Sequence, residues 1–192
     1  MLDILKLGSI LTLYSLLAGT ALAFVNITSS PRIEQNRLEA EKSAREEVLP
    51  GMAGGFVERA DGDGFRYWIG YRDARKSSPE GYLFISRAEG YSSTIAVMVG
   101  VDTAGVVTGA KVISQRETPG LGARIGEVRH GESDPWFMRQ FIGKTIADND
   151  FRVIKDGGGI EAITGATISS RAVTKAIRDG LSTLSEIIGG SS

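Results

Sequence analysis

A chain of 192 residues is long enough for one domain with a substantial buried core and leaves little room for a second. With 42% hydrophobic and 23% charged residues it has the profile of a folded protein, and a net charge of -1 gives no electrostatic footprint for nucleic acid. It has no cysteine and a single histidine, which excludes thiolate-held iron–sulfur clusters, c-type haem and disulfides, so any redox role must rest on an organic cofactor.

Residues 4–25 are almost all apolar or small, interrupted only by Lys6. As a helix this run is about 33 Å long, the hydrocarbon thickness of a bilayer, and Lys6 lies close enough to its end to snorkel. A cleaved signal peptide is the alternative, since Ala21-Leu22-Ala23 fits a small-residue cleavage site; a run longer than the usual h-region of about 7–15 residues favours a retained anchor. Arg32, Arg37, Lys42 and Arg45 after the run weakly favour a cytoplasmic domain, but they are interleaved with Glu34, Glu39, Glu41, Glu46 and Glu47, so charge leaves the side open. Ser30-Pro31 reads as the start of a second helix, with proline at the first helical position, running to about Val48 and stopping at Leu49-Pro50-Gly51. That helix is mostly polar and reads as a spacer. After a Gly-rich stretch, Asp61-Gly62-Asp63-Gly64 lacks the remaining oxygen ligands of a calcium loop and reads as a hairpin turn.

Strands are predicted at 65–69, 82–86, 94–101 and 106–113, where valine, isoleucine and aromatics concentrate. The last two are joined by Asp102-Thr103-Ala104-Gly105 as a hairpin. Residues 136–142 suit a short helix with Trp136 and Phe137 inward, and 151–154 a further short strand. Val173, Ile177, Leu181, Leu184 and Ile188 form one apolar face of a carboxyl-terminal helix ended by Gly189-Gly190. The fold class is α+β, a single amino-terminal transmembrane helix followed by one α+β domain. Residues 1–28 are the anchor, 29–50 the helical spacer and 51–192 the domain.

Two segments stand apart from this scaffold. Gln115-Arg116-Glu117-Thr118-Pro119-Gly120-Leu121-Gly122 follows a predicted strand; proline and two glycines make an ordinary surface turn, or a backbone that approaches a ligand closely. Ile163-Thr164-Gly165-Ala166-Thr167-Ile168-Ser169-Ser170 precedes the final helix. Its hydroxyls can cap that helix, but four of them exceed what one cap needs, and the free amides and positive dipole end also suit phosphate. His130 reads as an exposed loop residue, and with one histidine and no nucleophile elbow nothing in the sequence points to a serine-hydrolase triad. No metal cluster or catalytic acid–base pair stands out.

Together the Glu117 to Gly122 run, Trp136 with Phe141 and Lys144, and the run from Ile163 through Arg171-Ala172-Val173 resemble the FMN-binding domain shared by the G subunit of the Rnf electron-transport complex and the C subunit of the sodium-pumping NADH:quinone reductase. The resemblance covers most of the chain, and its length and the Arg171-Ala172-Val173 helix favour the Rnf protein. It implies covalent FMN on Thr167 through its phosphate, installed by a flavin transferase that splits FAD. The implied cofactor-binding residues are Thr164, Gly165, Ala166 and Ile168 at the phosphate, with Glu117, Thr118, Gly120, Leu121 and Gly122 near the isoalloxazine, Leu121 covering one face. One departure is Glu161 where the family's motif usually has aspartate, which keeps the carboxylate on a longer arm. The implied role is an electron-transferring subunit of an ion-translocating ferredoxin:NAD oxidoreductase, relaying electrons among the other membrane and peripheral subunits, with its domain outside the cytoplasmic membrane. The alternatives are the C subunit of the quinone reductase and a flavin-free extracytoplasmic binding or sensor domain.

Overall fold

The computed structural model describes residues 2–62, 64–132, 134–148 and 151–189. Asp63 of the expected turn and Gly190 of the expected helix stop lie outside the described residues. The chain forms two compact units, Met1–Glu41 and Lys42–Ser192.

The described residues of the first unit are all helical and belong to helix α1 (Leu2–Val48). Its apolar side chains, among them Leu5, Leu13, Leu17 and Phe24, are exposed, and by length and composition the helix can cross a membrane. Polar side chains in this stretch satisfy themselves locally: the hydroxyls of Thr12, Thr20 and Thr28 donate to the carbonyls of Gly8, Leu16 and Phe24 at 2.7–2.9 Å. In lipid no other acceptor would be offered. The helix start expected at Ser30-Pro31 is not there, because α1 runs through Pro31 without a break. An internal proline forfeits one backbone hydrogen bond and costs about 3 kcal/mol. The residues that follow are largely Glu, Arg, Gln, Ala, Lys and Leu, strong helix formers whose summed preference carries the helix across that defect.

The second unit is built on a five-stranded antiparallel meander of β1 (Gly55–Ala60), β2 (Arg66–Tyr71), β3 (Gly81–Glu89), β4 (Thr94–Asp102) and β5 (Val107–Ser114), in sequence order across the sheet. The expected β4–β5 hairpin forms, its turn held by Asp102, whose Oδ1 accepts from the Ala104 and Val106 amides at 2.9 Å. Strand β1 is not legible from composition. Its Glu58 and Arg59 interrupt an apolar pattern, as an exposed edge strand allows, and pairing with β2 supplies what composition does not.

Alternation along β4 explains both layers of the core. Ile95, Val97, Val99 and Val101 share a cluster with Val173, Ile177, Leu181 and Leu184 of α3 (Thr167–Gly189), as the predicted helix face requires. Met98, from the opposite face, packs with Ala44, Val48 and Leu49 at the end of α1 and with Trp68 and Leu83. The end of the expected spacer is therefore core. Val48 lies so close to the sheet that a Cβ on Gly100 would fall 2.4 Å from its carbonyl oxygen, and one on Gly109, the register partner of Gly100, 2.7 Å from its Cα. The Thr108 hydroxyl donates to the same carbonyl at 2.7 Å, answering one of the orphan acceptors of the helix end.

Between β5 and α3 the chain is mostly irregular. Helix α2 (Trp136–Arg139) is shorter than expected, with Phe137 and Phe141 fully buried and Trp136 half-buried. The strand expected at 151–154 does not form. Phe151 and Val153 are buried plugs, a single parallel bridge joins Val153 to Ile160, and a 3-10 turn (Ile154–Asp156) followed by three glycines reverses the chain at once.

Replacing Gly109 by alanine pushes a methyl group into the Val48 backbone, which cannot yield without lifting α1 off the sheet. The expected cost is about 1–3 kcal/mol, read as a lower thermal unfolding midpoint. Gly126→Ala places its methyl 3.8 Å from Val112, an ordinary contact, and should leave the midpoint unchanged. Equal midpoints for both variants would contradict the close docking.

Candidate functional site

The two segments singled out in the sequence meet in space. After β5 the chain turns through residues 118–121, with the Thr118 carbonyl accepting from the Leu121 and Ala123 amides at 3.2 Å and Gly120 at φ 75°. This turn faces the start of α3. Gly165, at φ 78°, brings the backbone against Leu121, whose Cδ2 would lie 3.1 Å from a Cβ at that position.

The contact is organised by Glu117, only 5% exposed. Its Oε1 accepts from the amides of Ser92 and Ser93, both at 2.9 Å, and from the Ser93 hydroxyl at 3.1 Å. Its Oε2 accepts from the Tyr91 amide at 3.0 Å and from the Ser169 hydroxyl at 2.6 Å. Gly90 and Gly122 leave room for the carboxylate, since a Cβ on either would fall 2.7 Å from one of its oxygens. Burial by itself pushes the carboxyl up, but the hydrogen bonds from Ser169, Ser92, Tyr91 and Ser93 outweigh it and hold its pKa at about 2, against an ordinary 4.5.

At the start of α3, the Ser170 hydroxyl accepts from the Ile163 amide and donates to the Ala166 carbonyl, both at 3.0 Å. The first helix-type backbone bond is that of the Ser170 amide to the Ala166 carbonyl at 3.0 Å. The amides of Thr167, Ile168 and Ser169 are thus the unpaired donors that open any α-helix. The turn before it is braced by Arg171, which donates to both oxygens of Asp156 at 2.6 and 2.7 Å and thereby lowers the Asp156 carboxyl below its usual range.

A cleft of about 480 Å³ lies between these walls, lined by Tyr91, Glu117, Thr118, Leu121, Gly122, Lys155, Gly165, Ala166, Thr167, Ile168 and Ser169. Eight of the ten residues expected at the site line it. Of the other two, Gly120 shapes the turn and Thr164 is exposed just before the helix. The Glu117 carboxylate has five donors, so its part is to position the walls. Tyr91, Lys155 and Ser169 join the lining without having been expected there. Tyr91 sits in a Gly-Ser turn between two strands and Lys155 beside a glycine run, contexts that read locally as plain loops. His130 is exposed, as expected. The backbone of Glu161 is pinned by Gln140, whose Oε1 accepts from its amide at 2.7 Å, while its side chain is exposed.

The cleft can hold a molecule with an anionic end and an apolar body. Lys155, the Thr167 hydroxyl and the open helix amides suit a phosphate, while Tyr91, Leu121 and Ile168 offer apolar surface. The volume falls within the range of small-molecule and cofactor sites.

The FMN-binding domain family matches residues 90–182, which include every residue of the cleft. The G subunit of the Na(+)-translocating ferredoxin:NAD(+) oxidoreductase complex of Acetobacterium woodii is 34% identical, over 91% of this chain and 88% of that one. The G subunit of the ion-translocating oxidoreductase complex of Aliivibrio fischeri is 44% identical over 47% of this chain and 42% of its own, so the match spans less than half the length of that relative. The crystal structure of the C subunit of the Na(+)-translocating NADH-quinone reductase from Parabacteroides distasonis shares the fold, with a TM-score of 0.54 at 21% identity, over 79% of this chain and 93% of that one.

Because its folded pKa is depressed, Glu117 stabilises the fold fully above about pH 4.5, and that contribution fades as pH falls toward about 2. At neutral pH it is worth on the order of 3 kcal/mol. Glu117→Gln should lower the unfolding midpoint at neutral pH, and the two proteins should converge as pH approaches the folded pKa. Parallel midpoint profiles across that window would contradict the latch.

Proposed function

This chain belongs to the G-subunit family of ion-translocating oxidoreductase complexes, and from that membership we propose that it is an electron-transferring flavoprotein subunit of a membrane ion-translocating ferredoxin:NAD oxidoreductase. It carries FMN as a phosphoester on Thr167. The observation that supports this most directly is the convergence of the 117–122 turn and the start of α3 on one cleft, with Thr167 half-buried in its wall. The residues fit the group. Among the four hydroxyls near the helix start, Ser169 is engaged by Glu117 and Ser170 by Ile163 and Ala166. Thr164 is outside the cleft lining, and no described residue takes the Thr167 hydroxyl.

The phosphate end is held by Thr167, the open amides of the helix start and Lys155; Gly165 and Ala166 keep that wall thin enough for close approach. Leu121 and Thr118 border the ring, and Leu121 keeps water from one side. When bound, FMN supplies the electron chemistry that no side chain of this cysteine-free chain can. Tuning falls to the apolar cover and to the hydrogen bonds the cleft offers the ring. A flavin transferase installs the group, with Glu161 in the place of the usual aspartate.

In this reading residues 1–28 anchor the chain in the cell membrane, 29–50 continue the helix as a spacer whose last turn packs into the domain core, and 51–192 supply the rest of the FMN domain on the extracytoplasmic side. The domain relays electrons between redox centres of its partner subunits without binding ferredoxin or NAD itself. The exposed apolar surface of the amino-terminal helix supports the anchor.

Thr167→Ala should abolish covalent flavin, because alanine has no oxygen to esterify, while the chain still folds. Flavin fluorescence of the denatured polypeptide on a gel, followed by mass spectrometry of the flavin-bearing peptide, decides the matter. Persistence of the modified peptide in the variant, or its mapping to Ser169, would sink the assignment. The full chain should also resist carbonate extraction from membranes, whereas a chain beginning at Pro31 should not. Natural processing before Phe24 would overturn the anchor.

A further inference from the structure

Outside the amino-terminal helix, Tyr91 is the most exposed large hydrophobic side chain among the described residues, at 71%. It nevertheless stands on a firmly held turn. The amides of Tyr91, Ser92 and Ser93 all donate to Glu117, the Ser93 hydroxyl adds a fourth bond to that carboxylate, and the Arg116 amide donates to the Ser93 hydroxyl at 2.8 Å. The Gly90 amide closes the turn on the Ser93 carbonyl at 2.8 Å. An aromatic ring left in water on a rigid base costs solvation without the compensation of loop entropy, unless something covers it. Tyr91 lines the same cleft as Leu121 and Ile168, which are themselves 45% and 50% exposed. Three exposed apolar side chains therefore border one cavity whose remaining walls suit a phosphate.

We infer that Tyr91 is a cofactor-contacting residue whose phenol packs against the isoalloxazine of the bound flavin, and that Glu117 is the positioning residue that holds it there. The inference rests on the flavin reading above and adds to it a residue from the β3–β4 turn, remote in sequence from both expected segments. The contact is apolar and electronic, so it does not bear on the phosphoester at Thr167.

The readout is flavin emission. A phenol in contact with the excited ring quenches it by giving up an electron and recovering it on recombination; a phenylalanine packs equally well but cannot donate, whereas a tryptophan can. Full-length parent, Tyr91→Phe, Tyr91→Trp and Tyr91→Ala proteins would be made in cells expressing a flavin transferase and compared at equal covalent loading by time-resolved fluorescence. The Phe and Ala variants should emit severalfold more, with lengthened decays, while the Trp variant stays quenched. Glu117→Ala, with Tyr91 intact, should recover emission in part as the turn loosens; should that variant fail to fold, the tyrosine series decides alone. Superimposable decays for parent, Phe and Ala proteins would overturn the inference. Loss of covalent loading in a folded Tyr91→Phe protein would overturn it too, since a ring-side contact is not needed for esterification. A parent protein with no covalent flavin would instead overturn the flavin reading, and this inference with it.

Discussion

A buried carboxylate is unfavourable unless donors replace the water it has lost, and Glu117 meets that condition only when three remote pieces of chain are in place at once. The turn after β3 supplies three amides and a hydroxyl, the loop after β5 carries the carboxylate, and the first turn of α3 supplies the Ser169 hydroxyl. Neither loop has regular structure that would fix it alone. Their mutual dependence makes the cleft a property of the completed fold rather than of any one loop. Leaving any single donor out would unpair part of a desolvated charge, at a cost of about 1–3 kcal/mol or more. Walls tied together by these bonds form before any ligand is present, and the surroundings of a cofactor are one of the levers on its potential.

The central strands of the sheet beneath this latch are covered on both faces by helices that do different work. On one face α3 runs across β3 and β4 with its apolar stripe, and Gly180 lets the Phe84 ring lie against the helix backbone. On the other, the last turn of α1 settles over Gly100 and Gly109, with Arg45 stacked 4.6 Å from the Trp68 ring centroid and Lys111 paired with Glu47. The glycines are needed for space rather than for unusual dihedrals. Because Val48 and Leu49 are core residues, the end of the long helix cannot be removed or redirected without opening the hydrophobic cluster around Trp68, Leu83 and Met98. The helix end is thus part of the domain and not a tether to it.

Much of this was legible in the sequence, wherever one physical signal dominates. Strands β2 to β5 announce themselves through β-branched and aromatic residues, and α3 through apolar residues at spacings of three and four. Each site segment is a weak signal alone, an ordinary turn and a helix start with more hydroxyls than one cap requires, and they stand out only together, through the resemblance to the FMN-binding domain. Where signals compete the reading failed. Proline at residue 31 follows a serine, the pattern of a helix start, yet the helix-forming residues on its far side outweigh one lost hydrogen bond. Phe151 and Val153 have strand chemistry but no strand to pair with, so their apolar character is spent on plugging the core. Strand β1 is the reverse case, weak in composition and made by its partner. Tyr91 and Lys155 could not be read at all, because their importance comes from what the fold carries to their side of the cleft.

Hydrogen bonding also separates the four hydroxyls as candidates for the proposed ester. A hydroxyl that becomes an ester loses its proton as a donor and gains bulk. At Ser169 that change would remove the 2.6 Å bond to Glu117 and force a phosphate against a buried carboxylate, so the latch and the modification would exclude each other. At Ser170, fully buried, the ester would expel the bonds that tie Ile163 and Ala166 to the helix start. Thr164 is exposed and is not among the residues that line the cleft. Of the four, Thr167 alone combines a position on the cleft wall with a hydroxyl that no described residue engages. For the proposed ester, selectivity among neighbouring hydroxyls would then follow in part from the folded structure, since the inner serines are already engaged by the bonds that build the site.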